Sequence, residues 1–431
     1  MSRVAVIGTG YVGLSTGAYL AHIGHEVVCA DVVADKIAGL ARGEVPIFET
    51  GLEDLVRSGL DSGLLRFVLG SEAAVPGAEF VFLCLPTPQG DDGAADLSYM
   101  QAEAEHLGPL LEPGSIVINK STVPVGSTRL VQRSLQRGDV FVVSNPEFLR
   151  EGTAVHDCLN PDRIVIGADD AAAASRVAAL YDRIHAPVLV TDPASAELIK
   201  YASNAFLATK ISYINAVANL CEAVGADVKE VVLGMGYDKR IGFEFLRPGP
   251  GWGGSCFPKD TNALVRIAED AGYDFGLLEG VIEVNIEQYE RMTDKIAQAV
   301  PDGILDGATV AVWGLTFKAM TDDLRDSPAL EVVGRLVRRG ARVRAYDPMV
   351  DDHRAVGDDR FEGVTICADP YAACTGADVV ALLTEWDEFR WLDYDKVRSL
   401  VRAQAIVDCR NVLDPAAMRK RGFSYHGVGR E

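Results

Sequence analysis

A glycine-rich turn near the N-terminus constrains the fold of this 431-residue chain more than any other feature. An apolar run at residues 4–7 precedes Gly8, Gly10 and Gly13, a helical segment follows, and the next apolar run ends at Asp31. In such a unit the glycines allow a tight turn, a close backbone approach to a pyrophosphate and close helix–strand packing. The helix N-terminus attracts phosphates, and the acid binds ribose hydroxyls and repels a 2′-phosphate. This segment therefore predicts a dinucleotide site for NAD rather than NADP.

Apolar, strand-like runs alternate with helical segments, which is typical of a parallel, doubly wound sheet. The later strands of this first alternation are predicted at residues 80–85, 115–119, 140–144, 163–167 and 187–191. Residues 194–224 contain no proline or glycine and carry apolar residues at helical spacing, which predicts one long helix. Further helix is predicted at residues 260–271 and 277–300.

A second alternation begins at residue 308, with strands predicted at residues 309–313, 342–346, 379–383 and 405–407. Its first strand, Val310-Ala-Val-Trp-Gly314, repeats the Val4-Ala-Val-Ile-Gly8 of the N-terminus but does not continue as a GxGxxG turn, which predicts a different ligand. The predicted fold class is α/β, with two Rossmann-like doubly wound domains joined by a helical central domain with one long helix. The predicted boundaries are residues 1–193, 194–300 and 301–431.

Charge and composition exclude several classes of function. The chain has 41 Lys and Arg against 62 Asp and Glu, a net charge of −21, and nucleic-acid backbones and anionic membranes both need cationic faces. No apolar run reaches the roughly 20 residues of a membrane span, and no secretory pattern opens the chain. The eight cysteines include no CxxC pair and no neighbouring histidine cluster, so no metal site is predicted. We expect a cytoplasmic protein with reduced thiols.

The segment Gly249-Pro-Gly-Trp-Gly-Gly-Ser-Cys256-Phe-Pro-Lys-Asp260 is the most informative stretch for chemistry. Glycine permits unusual backbone angles and close approach to a ligand. A cysteine at a helix start, with Lys259 three residues on, is in a setting that favours the thiolate. Asp260 follows one helical turn later and can face the same site. The alternative is a buried structural cysteine in a turn.

Four further residues have both a functional and a plain interpretation. Lys200 and Asn204 lie four residues apart on the long helix and can present a cation and an amide to one substrate oxygen, or they are surface residues. Glu147 follows a strand's carboxyl end, where open α/β sheets bind ligands, and is a candidate acid or base or a capping residue. Lys36 either approaches the adenosine phosphate or ribose edge or is a solvated lysine.

Several motifs together resemble the UDP-glucose 6-dehydrogenase family, within the UDP-glucose/GDP-mannose dehydrogenases. They are VAVIGTGYVGL, KSTVPVGST, SNPEFLREGTAVHD, NPDRIVIG, AELIKYASNAFLATKISYINAVANLCE, RIGFEFLRPGPGWGGSCFPKD and GLTFKAMTDDLRDSP. The resemblance extends from residue 3 to about residue 412. It implies an NAD-dependent, two-step oxidation of the C6 hydroxyl of UDP-glucose to UDP-glucuronate, through a thiohemiacetal and a thioester on Cys256.

The resemblance also implies residue roles. Lys200 and Asn204 would stabilise the C6 oxygen, Asp260 and Thr122 would hold a water for proton transfer, and Glu147 would act as base in thioester hydrolysis. The cofactor would be bound by Gly8, Gly10, Tyr11, Val12, Gly13, Asp31, Lys36, Thr87, Thr122, Glu151 and Arg325. The substrate would be bound by Phe148, Leu149, Glu151, Lys200, Asn204, Phe245, Leu246, Arg247, Gly253, Phe317, Lys318 and Arg240, which would reach the substrate of a neighbouring subunit.

By the same resemblance, the N-terminal domain would bind NAD, the central domain would form a homodimer or higher homo-oligomer, and the C-terminal domain would bind the UDP-sugar. Close relatives oxidise GDP-mannose or UDP-N-acetylmannosamine, and these sugars remain alternatives. The segments Asn160-Pro-Asp-Arg163 and Asp238-Lys-Arg-Ile-Gly, and Phe257, are most similar to the UDP-glucose branch. More distant alternatives are a one-step hydroxyacid dehydrogenase, which needs no cysteine, and a non-catalytic sensor of NAD or nucleotide sugars.

Overall fold

A computed structural model describes residues 1–90 and 94–430 of the chain. The chain forms two compact units. The first comprises Met1–Ser203 and Asn262–Tyr273, and the second comprises Asn204–Thr261 and Asp274–Glu431. The division into three domains stays a prediction.

The first unit contains an eight-stranded sheet with the order β3-β2-β1-β4-β5-β6-β7-β8. Its strands are β1 (Arg3–Ile7), β2 (Glu26–Asp31), β3 (Leu65–Leu69), β4 (Phe80–Leu83), β5 (Ile116–Asn119), β6 (Phe141–Ser144), β7 (Ile164–Gly167) and β8 (Val188–Thr191). Its helices are α1 (Tyr11–His22), α2 (Ala34–Ala41), α3 (Leu52–Asp61), α4 (Ser98–Leu107), α5 (Ser127–Leu135), α6 (Ala154–Leu159) and α7 (Ala171–Ala179).

The sheet of the first unit is parallel except at one junction. The neighbouring strands β6 and β7 run antiparallel and share a single residue pair, Ser144 with Gly167, while β7 and β8 are again parallel. An antiparallel edge on an otherwise parallel sheet is common in doubly wound folds. The strand order reverses between β1 and β4, and ligands of such folds bind at the carboxyl ends of strands at this point.

Both faces of this sheet are buried, which explains the continuous apolar runs of its strands. On β1, Val4 and Val6 belong to one apolar cluster, and Ala5 and Ile7 belong to another on the opposite face. Strand β3 escaped the sequence analysis, because Arg66, which is exposed at this edge of the sheet, interrupts its short apolar run.

One 32-residue helix, α8 (Pro193–Val224), confirms the predicted long helix and contains the boundary between the units. The following helices are α9 (Val228–Gly236), α10 (Phe257–Asp270) and α11 (Gly276–Ala299). Helix α10 begins three residues earlier than predicted, so that it starts directly after Cys256.

The second unit contains a parallel, six-stranded sheet with the order β11-β10-β9-β12-β13-β14. Its strands are β9 (Thr309–Trp313), β10 (Arg342–Tyr346), β11 (Val364–Ile366), β12 (Val379–Leu382), β13 (Ala405–Asp408) and β14 (Ser424–His426). Its further helices are α12 (Pro328–Arg338), α13 (Asp352–Ala355), α14 (Pro370–Cys374), α15 (Tyr394–Leu400) and α16 (Pro415–Lys420). In chain order the strands follow the same pattern as the first six strands of the first unit, so the repeated opening sequence corresponds to a repeated fold.

Within the described residues, no helix combines the length and the apolar character that a membrane crossing requires. The same part of the chain holds no group of three or more His, Cys, Asp or Glu side chains that could bind a metal ion.

Candidate active site

The glycine-rich turn has a geometry that fits a dinucleotide. Gly8 has a φ of +94°, and a Cβ there would overlap with the carbonyl oxygen of Cys84 at the end of the neighbouring strand. A Cβ on Gly13 would overlap with the carbonyl oxygen of Gly8. Gly10 differs, because a Cβ there would meet no atom of the protein within 4 Å. The protein's own backbone thus requires the first and third glycines, while the second borders open space at the start of α1, where a pyrophosphate can approach.

Asp31, at the end of β2, is held as a carboxylate. Its Oδ2 accepts hydrogen bonds from the backbone N–H and the hydroxyl of Thr9, at 3.0 and 2.6 Å, and from the Nζ of Lys36 at 3.0 Å. Burial alone would raise the pKa of Asp31, but the Thr9 and Lys36 hydrogen bonds outweigh it and lower the pKa to about 2. Lys36 is therefore neither a solvated lysine nor an isolated cation, since it pairs with the acid predicted to bind ribose.

The repeated fold in the second unit uses its corresponding acid differently. Asp347 follows β10 and accepts hydrogen bonds from the backbone N–H groups of Leu315 and Thr316 and from the Thr316 hydroxyl, at 2.7, 2.9 and 2.9 Å. The indole N–H of Trp386 also donates to it at 3.1 Å, and Asp347 is buried. Because a tryptophan covers this carboxylate, it cannot be offered to a ribose in the manner of Asp31. The second sheet therefore needs a different mode of ligand binding.

Glu147 and Lys200 form a buried ion pair in the first unit. The Nζ of Lys200 lies 2.8 Å from Oε1 of Glu147, and the two side chains are 4% and 6% exposed. Burial alone would raise the pKa of Glu147, but the Lys200 charge and hydrogen bond, the Leu149 N–H and the Lys120 charge outweigh it and lower the pKa. Glu147 is thus an ionised carboxylate in the protein interior.

Phe148 lies beside this pair and under two cations. The Arg163 guanidinium is 3.7 Å from the centre of its ring, and the Lys200 Nζ is 5.5 Å away. Leu149 donates its backbone N–H to Oε2 of Glu147 at 2.6 Å. The segment after β6 is thereby fixed to the long helix α8 by the same two residues that form the ion pair.

The remaining predicted residues of the first unit surround the glycine-rich turn. Tyr11 donates its hydroxyl to Glu49, and burial together with this bond and the Glu49 and Glu151 charges raises its pKa. Val12 packs against the apolar cluster on one face of the sheet. The Thr87 hydroxyl donates to the carbonyl oxygen of Thr122 at 2.9 Å, which joins the loops after β4 and β5.

Cys256 stands apart from the other cysteines of the chain. It is half-buried, whereas the other seven, all within the described residues, are buried. Its carbonyl oxygen accepts the backbone N–H of Asp260 at 2.8 Å, the first hydrogen bond of α10, which makes Cys256 the N-cap residue of that helix. The positive end of the helix dipole favours a thiolate at this position.

Asp260 is fully buried and binds two polar side chains, Asn204 and Lys259. Its Oδ2 accepts the side-chain N–H of Asn204 at 2.6 Å, and its Oδ1 lies 2.7 Å from the Nζ of Lys259. Lys259 balances the buried charge of Asp260. The structure therefore brings Asn204 of α8 and Asp260 of α10 together, within the second unit, one helical turn from Cys256.

Among the residues predicted to bind substrate, those before Cys256 have very different environments. Leu246 is buried, while Arg247 is exposed and Phe245 is half-buried with a φ of +63°. A Cβ on Gly253 would overlap with the carbonyl oxygen of Asp326. Arg240 is exposed and pairs with Asp238 at 2.6 Å on the surface.

The segment after β9 holds the last three predicted positions. The backbone carbonyl of Phe317 accepts a hydrogen bond from Arg410 at 3.1 Å, and the Lys318 Nζ lies 5.3 Å from the centre of the Phe317 ring. Arg325 pairs with Asp323 at 2.7 Å and remains largely exposed. Phe317 and Lys318 thus follow β9 at its carboxyl end, where an open sheet binds ligands.

Sequence reasoning missed several buried polar residues. Glu49 accepts the backbone N–H groups of Gly152 and Ala154 at 2.6 and 2.9 Å, and so holds the start of α6 beside Tyr11. Glu197 of α8 accepts the Thr128 N–H and hydroxyl, both at 2.7 Å, at the start of α5. The only sequence signal for them is an acid within a largely apolar or helical stretch.

Comparisons with known proteins match the whole organisation of the chain. The family models of the UDP-glucose/GDP-mannose dehydrogenase family match residues 2–185 (NAD binding domain), 194–287 (central domain) and 311–415 (UDP binding domain). The UDP-glucose 6-dehydrogenase TuaD of Bacillus subtilis is 45% identical over 100% of this chain and 94% of its own length. The UDP-glucose 6-dehydrogenase of Pseudomonas aeruginosa is 45% identical over 99% and 97%.

Solved structures of dehydrogenases also match the chain along its whole length. A UDP-glucose dehydrogenase from Pyrobaculum islandicum has a TM-score of 0.90 and 40% identity, with 100% of this chain and 98% of that chain covered. A UDP-D-ManNAc dehydrogenase from Pyrococcus horikoshii has a TM-score of 0.88 and 28% identity, with 99% of each chain covered. With its dinucleotide turn, its half-buried thiol at a helix start and its second nucleotide-binding fold, the chain belongs to the UDP-glucose/GDP-mannose dehydrogenase family and is an NAD-dependent dehydrogenase.

Proposed function

We propose that the protein oxidises the C6 hydroxyl of UDP-glucose to the carboxylate of UDP-glucuronate, with two NAD⁺ consumed for each sugar. The observation that carries the proposal is Cys256, a half-buried thiol at the N-cap of α10 with the Asn204–Asp260 pair one turn away. An alcohol dehydrogenase that stops at the aldehyde or ketone needs no thiol. The 45% identity to UDP-glucose 6-dehydrogenases over nearly the whole chain supports the sugar nucleotide.

The chemistry explains the need for a thiol. The glycine-rich turn and Asp31 would hold NAD⁺, which would supply the hydride acceptor for both oxidations of C6. After the first, C6 is an aldehyde without a tetrahedral centre that can donate a second hydride, and addition of the Cys256 thiolate supplies that centre as a thiohemiacetal. The second hydride loss leaves a thioester, and water then breaks the C–S bond, returns the thiol and releases the carboxylate.

The other polar residues assist these steps in our proposal. Lys200 and the Asn204 amide stabilise negative charge on the C6 oxygen. Asp260 and Thr122 hold a water that takes part in proton transfer. The lowered pKa of Glu147 keeps this side chain ionised, and it accepts a proton from the water that attacks the thioester.

The binding roles follow the same division of the chain. The turn from Gly8 to Gly13 binds the pyrophosphate, and Asp31 with Lys36 binds the adenosine ribose. Phe317 and Lys318 at the carboxyl end of β9 bind the UDP-sugar, and Gly253 lies against the backbone of Asp326 in the same unit. Backbone N–H groups and helix N-termini provide much of the phosphate binding, which reconciles two anionic ligands with a net charge of −21.

We further propose that the protein is a homodimer or a higher homo-oligomer through α8. Phe206, Tyr213 and Leu220 repeat every seven residues on this helix and are 65%, 56% and 60% exposed. Such a stripe of large apolar side chains is the kind of surface that a partner subunit buries. The exposed Arg240 is available to reach the substrate of that partner. The eight cysteines, all within the described residues, are thiols rather than disulfides, which fits a reducing compartment, so we place the enzyme in the cytoplasm.

The test is to count NADH with purified protein and a panel of UDP-glucose, UDP-N-acetylmannosamine and GDP-mannose. We expect two NADH per UDP-glucose and a rate at least tenfold lower with the other sugars. A yield of one NADH per UDP-glucose contradicts the thioester route and favours a one-step dehydrogenase. Fast oxidation of another sugar, with none of UDP-glucose, reassigns the substrate but keeps the thiol chemistry.

A further inference from the structure

The loop that leads to Cys256 is buried along six consecutive residues, from 249 to 254. Loops usually run over the surface, because their backbone N–H and C=O groups are otherwise left without partners. This loop contains three further glycines between Gly249 and Cys256 and one proline, so it has few side chains to satisfy its own backbone. Its polar backbone groups must be satisfied from neighbouring elements.

Two helix residues satisfy both backbone groups of Gly249. Its N–H donates to Oδ1 of Asn215 in α8 at 2.8 Å, and its carbonyl accepts the Nε2 of Gln288 in α11 at 2.8 Å. Asn215 and Gln288 are 0% and 1% exposed. The Oε1 of Gln288 accepts the side-chain N–H of Asn219 at 3.0 Å, which fixes the orientation of the amide.

Three residues later, one asparagine satisfies both backbone groups of Trp252. Oδ1 of Asn285 accepts the Trp252 N–H at 2.8 Å, and its Nδ2 donates to the Trp252 carbonyl at 2.9 Å. The Tyr289 hydroxyl donates to the same carbonyl at 2.9 Å. The indole N–H of Trp252 donates to the Ser212 hydroxyl at 2.9 Å, so the side chain is fixed as well as the backbone.

The surroundings of the loop leave no room for side chains at two of its glycines. Gly251 has a φ of +132°, and a Cβ there would lie 2.7 Å from both Oδ1 of Asn285 and Cε1 of Tyr289. Three residues later, a Cβ on Gly254 would lie 2.8 Å from the ring of Phe317. The loop therefore lies between the amides of α8 and α11 on one side and the Phe317 segment on the other, two residues before the thiol.

We propose that Asn215, Asn285 and Gln288, the amide clamp, are positioning residues that set the location of the Cys256 thiol for both of its covalent steps. The proposal rests on the proposed function in one respect, the role of Cys256 as nucleophile. Burial of three amides in helices costs desolvation that apolar residues would avoid, and the hydrogen bonds to the loop backbone offset part of that cost. A displacement of about 1 Å in a reacting group lowers a rate about 100-fold, so a loop of this composition needs external support.

The experiment compares Asn285→Ala and Gln288→Met with the wild type and with Gln298→Ala, an exposed position on the same helix, as matched control. Two measurements are made on each protein. One is the rate of iodoacetamide alkylation of each cysteine, read by peptide mass spectrometry without NAD or sugar. The other is kcat and KM for UDP-glucose, per mole of folded protein.

We expect the two clamp variants to lower kcat at least tenfold, change KM less than threefold, and raise the alkylation rate of Cys256 at least threefold. The seven buried cysteines stay protected, and Gln298→Ala matches the wild type within twofold. A purely structural role predicts instead that all cysteines become reactive together, or that kcat stays within twofold, and either result overturns the proposal. If Asn285→Ala does not fold, Gln288→Met decides, since it keeps the side-chain volume and removes the bond to Gly249.

Failure of the proposed function gives a different result. If the wild type releases no NADH from any sugar nucleotide, the proposed function falls, but the alkylation rates still test the clamp because they require no substrate. If the wild type is active and both clamp variants alkylate and turn over as it does, the clamp falls and the function stands.

Discussion

Replacement of Lys200 by methionine tests whether the buried pair with Glu147 is as closely coupled as its geometry indicates. Methionine keeps most of the apolar stem of Lys200 and removes the charge 2.8 Å from Oε1 of Glu147. Removal of one partner from a buried ion pair leaves an uncompensated charge and costs about 3–5 kcal/mol. Since Glu147 keeps the Leu149 N–H and the Lys120 charge nearby, we expect the lower end of this range at pH 7.

The change of the free energy of unfolding with pH that Glu147 causes should have the opposite sign in Lys200→Met. In the native protein the pKa of Glu147 is lowered, so its pair stabilises the fold above the unfolded pKa and this contribution is lost as the pH falls through the folded value. Without Lys200, burial raises the pKa of Glu147 above its unfolded value. The variant should therefore lose stability as the pH rises from 5 to 8, by up to about 1.4 kcal/mol per pH unit while Glu147 titrates.

The assay is thiol labelling during urea unfolding, because the two units carry separate buried cysteines. Cys29, Cys84 and Cys158 report on the first unit, and Cys374 and Cys409 report on the second. Lys200→Met should lower the urea midpoint of the first set at pH 8 more than at pH 5. A control, Lys210→Met, removes a half-buried lysine of the same helix whose Nζ donates to the Ile241 carbonyl at 3.1 Å, and should change the midpoint of either set little.

Two results would refute this reasoning. If the free energy of unfolding of the first unit falls by less than about 1 kcal/mol at pH 7, the pair behaves as a solvated surface pair. A loss of stability that grows as the pH falls would mean that Glu147 keeps its lowered pKa without Lys200.

Three other predictions concern the two ligand-binding regions. Cys256→Ser should reduce the steady-state rate of UDP-glucuronate formation at least 1,000-fold and leave UDP-glucose affinity within threefold by calorimetry, while Cys367→Ser, at a buried position, should keep activity. Normal turnover to the carboxylate in Cys256→Ser would exclude this thiol as nucleophile. Asp31→Asn should weaken NAD⁺ binding about tenfold and reduce the ratio of NAD⁺ affinity to NADP⁺ affinity, and an unchanged ratio would contradict the ribose role. Because the pKa of Asp31 is about 2, this carboxylate should add no pH dependence to wild-type NAD⁺ affinity between pH 5 and 9. Gly10→Ala should fold with the wild-type melting temperature and weaken NAD⁺ binding. Gly13→Ala should lower the melting temperature by several degrees, because its Cβ would overlap a backbone oxygen. Equal melting temperatures of the two variants would contradict this prediction.

The dinucleotide turn could be predicted because it depends on residues that are close in the chain. Gly8, Gly10 and Gly13 act through the local path of the backbone, and Asp31 follows one strand–helix–strand unit later. The long helix could be predicted in the same way from periodicity and the absence of proline and glycine. The candidate thiol was evident from the composition of its loop.

The partners of the polar residues could not be predicted, because they come from distant parts of the sequence. Lys200 and Asn204 are one turn apart on α8, yet the first binds Glu147, 53 positions away, and the second binds Asp260, 56 positions away. The amide clamp is similar, since its side chains resemble ordinary helix polar residues until the loop is seen against them. No local pattern specifies which backbone groups need these donors.

The sequence by itself therefore determined the fold class, the cofactor turn and the candidate thiol, because backbone geometry and hydrophobic periodicity are local properties. Only the tertiary structure decided the charge state and the availability of the acids. Asp31 and Asp347 lie at the carboxyl ends of corresponding strands in the two repeated folds, but the first is partly exposed beside Lys36 and the second is covered by Trp386. Burial and neighbours set the properties of a carboxylate, and both depend on parts of the chain that fold against it from far away.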